Sequence, residues 1–353
     1  MKRISLILIF LCGLTFAQRP NNYFQGAQVV QIVSHNDEIW FCTYGRGILR
    51  FNKTTESWSQ INSANSGLKD DRLYCLAVDD DYIWAGTSEG LWIQNRSTNQ
   101  WSLKKFSKGG QFGLWIRTLL YDEKSKVLWV GRFKFLSRFD KRTNSWSDFD
   151  LTVGKDEQSN SITTLWIDSK SNLWVGSESG LHKINTQQLG SSRFEFFSPT
   201  NSNIKYDGDQ FSISVIKNDS KNLWVGISEF ITPERPRFIT GGLYNFDSKK
   251  NWRRIDIQSG LPGNGIYSIS SFGSYLIVGV YDFIPHNKEQ EGKGLVLIHK
   301  GTGEMIRLTA KQVGFTNDKI LSMYFDGESI WFGTYSGISR LKFTNDFIFN
   351  FKK

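Results

Sequence analysis

Short apolar segments separated by polar turns run along the whole chain and repeat as one unit. The centre of the unit, which we call the anchor, is an aliphatic residue followed by Trp, an apolar residue and Gly. Five anchors are complete and two are degenerate, with Cys42 in place of Gly and Ile277 in place of Trp. The seven central positions are Trp40, Trp84, Trp129, Trp174, Trp224, Ile277 and Trp331. Their spacing of about 45 to 55 residues predicts one four-stranded blade per unit.

Each unit holds four apolar segments, which we call A to D. Segment A precedes the anchor (residues 73–78 in one unit), B is the anchor, C follows a tight turn with Gly, and D centres on a second aromatic such as Trp58. Segments this short, rich in β-branched and aromatic residues, predict strands. We therefore expect an all-β fold, a seven-bladed β-propeller of four-stranded antiparallel blades. The anchor Trp side chains would fill the space between neighbouring sheets.

The N-terminus has the pattern of a secretory signal peptide over residues 1–17. Lys2 and Arg3 precede an apolar run, and Ala17 ends a small-residue cleavage site before Gln18. An uncleaved anchor is the alternative, which the short apolar run disfavours. The prediction is an exported protein, periplasmic or extracellular, whose propeller occupies residues 18–353 without a membrane span. The last outer strand could come from residues 346–351 or from residues 22–25.

Composition and charge narrow the class of partner. The 353 residues are 39% hydrophobic and carry a formal charge of +9, which falls to +7 without Lys2 and Arg3. A basic exported protein favours acidic partners such as polyanionic glycans, although dispersed basic residues also serve solubility. Nucleic acid is not expected. Cys42 and Cys75 would remain after cleavage, and we expect buried free thiols rather than a disulfide.

Two further motifs connect the repeats to a known family. The anchors, the Gly-Leu-Pro at residues 260–262 and the Gly-Gly-Leu-Tyr-x-Phe-Asp run at residues 241–247 resemble the two-component regulator propeller repeat. The resemblance implies a periplasmic sensor propeller of the type found in hybrid histidine kinases, many of which respond to oligosaccharides. The sequence ends at Lys353 without a sandwich domain, a membrane span or a kinase, so we expect a stand-alone propeller that does not signal across the membrane by itself.

The candidate binding residues lie on the face where the B–C and D–A loops emerge, since loops on a rigid scaffold commonly carry function. Two adjacent B–C loops are long, residues 227–241 and 280–294, and could form a lip over a binding surface or be packed decoration held by Phe230 and Phe283. The candidate ligand-binding residues are Tyr44, Arg46, Trp115, Arg132, Glu178, Glu229, Tyr281, Asp282 and Tyr335. A recurring set before segment A could line the channel mouth or cap turns: Asp71, Asn160, Asp209, Asn264 and Asp318.

Catalytic signals in the sequence are weak. The four His residues have no metal-site spacing and there is no Gly-x-Ser-x-Gly elbow, so we predict no catalytic residue, metal or cofactor. The leading hypothesis is a non-catalytic module that recognises an oligosaccharide or a protein partner in the cell envelope. One alternative is a polysaccharide lyase or hydrolase that uses Glu178, Glu229, Asp282 or His286. The other alternative is a passive surface scaffold.

Overall fold

The computed structural model describes residues 19–189, 194–219, 222–247 and 251–342. It contains seven four-stranded antiparallel sheets arranged around a central channel. The predicted seven-bladed β-propeller is therefore confirmed. In every blade, segment A is the innermost strand and segment D, or its equivalent, is the outermost.

The strands follow the predicted repeats closely. The chain begins with β1 (Asn21–Tyr23). Blade 1 contains β2 (Val29–His35), β3 (Glu38–Thr43), β4 (Ile48–Asn52) and β5 (Ser57–Ile61). Blade 2 contains β6 (Cys75–Val78), β7 (Tyr82–Gly86), β8 (Leu91–Asn95) and β9 (Gln100–Lys104). Blade 3 contains β10 (Ile116–Asp122), β11 (Val127–Arg132), β12 (Leu136–Asp140) and β13 (Ser145–Phe149). Blade 4 contains β14 (Ile162–Ile167), β15 (Asn172–Ser177), β16 (Leu181–Asn185) and β17 (Glu195–Phe197).

Blades 5 and 6 contain the longest strands, and short helical turns occur in four of the connections between blades. Blade 5 contains β18 (Ile213–Asp219), β19 (Asn222–Phe230), β20 (Ile239–Phe246) and β21 (Trp252–Ile255). Blade 6 contains β22 (Gly265–Phe272), β23 (Tyr275–Ile284), β24 (Glu289–His299) and β25 (Met305–Leu308). Blade 7 contains β26 (Ile320–Phe325), β27 (Ser329–Thr334) and β28 (Gly337–Lys342). The helical turns are α1 (Ala310–Val313) and the 3-10 turns Phe112–Leu114, Glu157–Asn160 and Ile257–Ser259. Within the described residues, no helix has the length and apolar character needed to cross a membrane.

The ring is closed by the N-terminal strand. β1 pairs antiparallel with β28, with Asn21 opposite Arg340 and Tyr23 opposite Ile338. The Tyr23 ring lies 5.0 Å from the Trp58 ring of blade 1 and 6.2 Å from the Trp331 ring of blade 7. Of the two predicted alternatives, the N-terminal one supplies the outer strand of blade 7. Residues 346–351 and the predicted signal peptide lie outside the described residues.

The anchor residues fill the space between blades, as predicted. Trp40, Trp84, Trp129 and Trp331 are fully buried. Trp84 on β7, for example, packs with Ile116 and Leu119 on the innermost strand of blade 3. Burial of a tryptophan in this position stabilises each interface by several kcal/mol, on the order of what its truncation costs in other cores.

The Gly of the anchor is required by a close approach between blades. A Cβ on Gly86 would lie 2.3 Å from the Cys75 Sγ and 2.8 Å from an Ile116 methyl group. The repeated Gly therefore marks the place where the innermost strand of the next blade meets strand B. Blade 1 has Cys42 in this position, and the structure shows Cys42 and Cys75 as free, buried thiols. Burial raises the pKa of both thiols.

Candidate functional site

Exposed apolar side chains mark one face of the propeller. We call the face that carries the B–C and D–A loops the loop face, and the opposite one the turn face. Among the described residues, six large apolar side chains are between 38% and 57% exposed, and all six belong to the loop face. They are Tyr44, Phe112, Val153, Phe230, Ile257 and Tyr335. Exposed apolar groups gathered on one face are typical of a binding surface.

An aromatic row crosses the loop face over blades 1 to 3. Its members are Tyr44, Tyr74, Trp115, Phe133 and Phe112. Successive ring centroids are 5.5, 5.3, 5.5 and 5.3 Å apart. Trp115 and Phe133 are nearly parallel, with 14° between their planes. The row is thus a continuous aromatic surface whose two ends, Tyr44 and Phe112, are exposed.

An ion pair extends the aromatic row towards blade 4. Arg117, near the start of β10, lines the channel and places its guanidinium 5.3 Å from the Phe133 ring centroid. Its Nη1 donates to Glu178 Oε1 at 2.7 Å and to Ser161 Oγ at 3.1 Å. Both partners are roughly a quarter exposed, so a ligand at the mouth of the channel can reach them.

Beyond the ion pair lies a cavity of about 410 Å³, which we call the mouth cleft. It opens between blades 4, 5 and 6, and its lining includes Gln158, Glu178, Gln210, Glu229 and Gln290. The Gln290 Oε1 accepts a hydrogen bond of 3.1 Å from the Tyr267 hydroxyl of the channel lining. The cleft therefore presents planar amide and carboxyl groups on one side and, through Phe230 and Phe238, aromatic rings on the other.

The two long segments at residues 227–241 and 280–294 are extended hairpins rather than irregular loops. β19 continues to Phe230 and β23 to Ile284, and their partner strands begin at Ile239 and Glu289. The Phe230 and Phe283 rings pack 4.7 Å apart, with Phe283 buried and Phe230 exposed. This contact joins the two hairpins, as expected if the two phenylalanines anchor them. A role as a lip over a bound ligand remains a prediction.

Glu229 is buried at the base of these hairpins. Its side chain lines both the mouth cleft and a second cavity of about 720 Å³, the outer cleft, although the residue is only 4% exposed. The Phe283 N–H donates to Glu229 Oε2 at 2.9 Å. Burial raises the pKa of Glu229 to about 7, the hydrogen bond from Phe283 opposes this, and the Asp282 carboxylate adds to it. Glu229 is thus a carboxyl group that can hold a proton near neutral pH.

Two more of the predicted site residues, Tyr281 and Arg132, are buried. Tyr281 is buried, and its hydroxyl accepts from the Glu229 N–H at 2.8 Å and donates to the Glu229 carbonyl at 3.2 Å. Arg132 is also buried, because β11 extends to this residue and its side chain turns inwards. Its guanidinium donates to the carbonyls of Lys108 and Gly113, each at 2.9 Å, and lies 3.1 Å from the Asp148 carboxylate. Burial lowers the pKa of Arg132 to about 10, with Asp148 acting in the opposite direction.

The other predicted residues occupy the loop face. Tyr44 and Arg46 are exposed on blade 1, and Trp115 is half-buried in the aromatic row. Tyr335 is exposed on blade 7, with the Lys319 ammonium 4.8 Å from its ring centroid. Asp282 is half-buried and lies 3.8 Å from the Lys293 ammonium. Two of the predicted residues lie at the channel mouth: Trp115 as part of the aromatic row, and Glu178 as the partner of Arg117.

The recurring polar residues before segment A cap the D–A loops. Asp71 accepts from the Ser63 N–H at 2.8 Å, Asn160 from Leu151 at 3.0 Å, Asn264 from Ile257 at 3.0 Å and Asp318 from Ala310 at 2.6 Å. In these four blades the side chain thus accepts a hydrogen bond from a backbone N–H seven to nine residues earlier. Asp209 has a different contact, 4.0 Å from Arg235. These residues serve turn chemistry, which was one of the two interpretations.

Three residues of the channel mouth are missing from the sequence-based set. Tyr74, Arg117 and Tyr267 each occupy the second position of segment A in blades 2, 3 and 6, and all three line the channel. A comparison of the A segments could have found them, since the second position is Thr163 or Ser214 in other blades. Among the described residues, no group of three or more His, Cys, Asp or Glu is placed to hold a metal ion.

Comparison with known proteins finds a partial sequence match to a histidine kinase. No protein-family model matches the sequence. Histidine kinase P4 from Formosa agariphila is 27% identical over 159 residues, which cover 42% of this chain and 11% of the kinase. This chain therefore matches only a small part of that relative's length.

Two kinds of solved structure share the fold. The extracellular domain of a hybrid two-component system from B. thetaiotaomicron superposes with a TM-score of 0.69 at 20% identity, covering 93% of this chain and 40% of that one. Virginiamycin B lyase from Staphylococcus aureus has a TM-score of 0.64 at 12% identity, covering 92% of this chain and 98% of the lyase. The predicted resemblance to the sensor propellers of two-component systems is confirmed at the level of the fold.

Proposed function

We propose that this chain is an exported, non-catalytic recognition propeller that binds an oligosaccharide at the channel mouth on its loop face. The observation that carries the proposal is a continuous arc of side chains, from the aromatic row through the Arg117–Glu178 pair to the mouth cleft. Aromatic rings stack on the apolar faces of sugars, and planar amides, carboxylates and guanidinium groups pair with neighbouring hydroxyls. A concave site with both kinds of group suits a glycan.

The proposal includes a role in two-component sensing. Propellers of this fold occur in the extracellular domain of a hybrid two-component system, and the partial sequence match is to a histidine kinase. The signal-peptide pattern at residues 1–17 supports export to the same side of the membrane as those sensor domains. Binding on a rigid scaffold, without turnover, is the task that such a role requires.

The test is binding of acidic and neutral oligosaccharides to the purified chain, by thermal shift and then by calorimetry. A ligand that binds the folded state raises its melting temperature by mass action. We expect Glu178→Gln to weaken the selected sugar at least tenfold, because the variant loses a charged acceptor at the mouth. Glu328→Gln is the matched control, since Glu328 is exposed in a turn on the opposite face. No shift with any sugar, or equal affinities for the two variants, would contradict the proposal.

One observation favours an enzyme as the second candidate. Glu229 can hold a proton near neutral pH, and it lines two cavities where a substrate could reach it. A general acid requires both properties. The fold is also that of virginiamycin B lyase along almost its whole length. A lyase or hydrolase acting on a polysaccharide would release new chain ends, measurable by a reducing-end assay. Loss of that activity in Glu229→Gln, with Glu328→Gln unaffected, would favour the enzyme; absence of turnover with any polysaccharide would remove it.

A further inference from the structure

The channel along the propeller axis is a cavity separate from the loop-face clefts. Its volume is about 820 Å³, and the innermost strands of all seven blades line it. At mid-height the lining is apolar in every blade. Leu119, Leu165 and Ile216 belong to this level, together with the equivalent residues of the other four blades. Each of them pairs with the strand B residue that comes directly after the central Trp or Ile of the anchor. All seven therefore lie at the same height.

The ionisable acidic and basic side chains of the channel lining are paired, with one exception in the part of the chain that the structure describes. At the loop-face end, Arg117 is paired with Glu178. At the turn-face end, His35 bonds Asp80 at 2.7 Å, and the Glu123 carboxylate pairs with Lys126.

Lys217 is the exception. It lines the channel one residue beyond the apolar level, opposite the anchor Trp224 in the blade 5 sheet. Its ammonium lies 4.3 Å from the centroid of the Trp166 ring, and no acid or hydrogen-bond acceptor among the described residues pairs with it. Removal from water lowers the pKa of Lys217. A cation held next to apolar side chains without a counter-charge is costly, and an anion bound beside it would offset that cost.

We propose that the central channel binds an amphipathic carboxylate, with its apolar chain against the Leu119–Leu165–Ile216 level and its carboxylate at the Lys217 ammonium. The innermost strand of blade 5 has seven residues, so the channel is roughly 20 Å long at about 3.3 Å per residue. When the carboxylate lies at Lys217, the apolar level and the loop-face end of the channel are free to hold the apolar chain of the ligand. Trp166 supplies a flat apolar wall beside the head group.

The test is calorimetry of dodecanoate binding to the purified chain, below the concentration at which dodecanoate forms micelles. We expect one molecule per propeller, and at least tenfold weaker binding to Lys217→Met, whose side chain keeps a similar length without the charge. Lys217→Arg retains a cation and should retain most of the affinity. Lys170→Met is the matched control, because Lys170 is exposed in a turn of blade 4 and its substitution changes the net charge equally.

Three results would overturn the proposal. The first is no binding of dodecanoate to the unmodified chain. The second is equal affinity of the unmodified chain and Lys217→Met, which would place the molecule elsewhere. The third is equally tight binding of dodecyltrimethylammonium, which has the same chain and the opposite charge and would show that the channel selects only for apolar length. Circular dichroism and melting temperature of each variant confirm that it is folded when binding is measured.

Discussion

Replacement of Glu229 by Gln should change how the stability of the propeller depends on pH. In the folded chain, burial holds the Glu229 proton up to a pKa of about 7, compared with an ordinary value of 4.5. The folded state therefore keeps a proton that the unfolded chain releases. Stability from this group is fully present below pH 4.5 and is lost as the pH rises to 7. At about 1.36 kcal/mol per pH unit, the loss amounts to roughly 3 kcal/mol.

The assay is urea unfolding of the unmodified chain and of Glu229→Gln at several pH values from 5 to 8.5. Gln has the size of Glu and does not titrate, so the variant should lack this contribution. The difference in unfolding free energy between the two proteins should shift by roughly 2 to 3 kcal/mol across this range, in favour of the variant at high pH. Glu89→Gln is the control, since Glu89 is exposed on blade 2 and its substitution should leave the profile parallel to that of the unmodified chain.

Parallel profiles for Glu229→Gln and the unmodified chain would refute the reasoning. That result would mean that Glu229 is ionised in the folded state at pH 5, as a solvated carboxylate is. The mouth cleft and the outer cleft would then contain a negative charge at neutral pH, and the second candidate function would lose its general acid.

Further substitutions test the fold and the buried groups, each by urea unfolding. Tyr23→Ala should cost about 2 kcal/mol, because the half-buried ring packs on two tryptophans where the ring closes; an unchanged midpoint would count against closure by β1. Trp84→Ala should cost about 3 to 5 kcal/mol and Trp84→Phe much less, since the Trp84 Nε1 has no hydrogen-bond partner among the described residues; equal costs would contradict a space-filling role. Arg132→Met should cost about 3 kcal/mol by leaving the Asp148 carboxylate without its cation, whereas Lys134→Met, at an exposed pair, should cost less than about 1 kcal/mol. The reverse order would mean that the Arg132 pair adds nothing.

The number and architecture of the blades could be predicted from the sequence because one contact repeats seven times. The central Trp or Ile of each unit packs against the next blade, and in six of the seven units a Gly two residues later admits the neighbouring innermost strand. This contact requires particular residue types at regular intervals, and the sequence shows them directly. The capping of the D–A loops by Asp71 and Asn160 is visible for the same reason, since each side chain bonds within its own loop.

The channel mouth could be predicted only in part, because its contacts join different blades. Arg117 and Glu178 are 61 positions apart, and no local pattern indicates that they meet. The sequence also does not show which way a side chain points at the end of a strand. Arg132 and Lys134 occur in the same turn, yet Arg132 is buried and Lys134 is half-exposed. Tyr281 is a second example, since β23 continues past this residue to Ile284 and the ring is buried.

Closure of the ring by β1 has a consequence for the order of assembly. Blades 1 to 6 form from strands that are neighbours in sequence, whereas blade 7 must join Asn21 to Arg340 across more than 300 residues. The entropy of loop closure grows with the logarithm of length, so this pairing costs roughly 1.5 kcal/mol more than closure of a 50-residue blade. Three paired residues then hold the two ends of the chain together. We expect blade 7 to be completed last during folding and to open first, so the lifetime of the folded ring should depend on the three-residue pairing of β1.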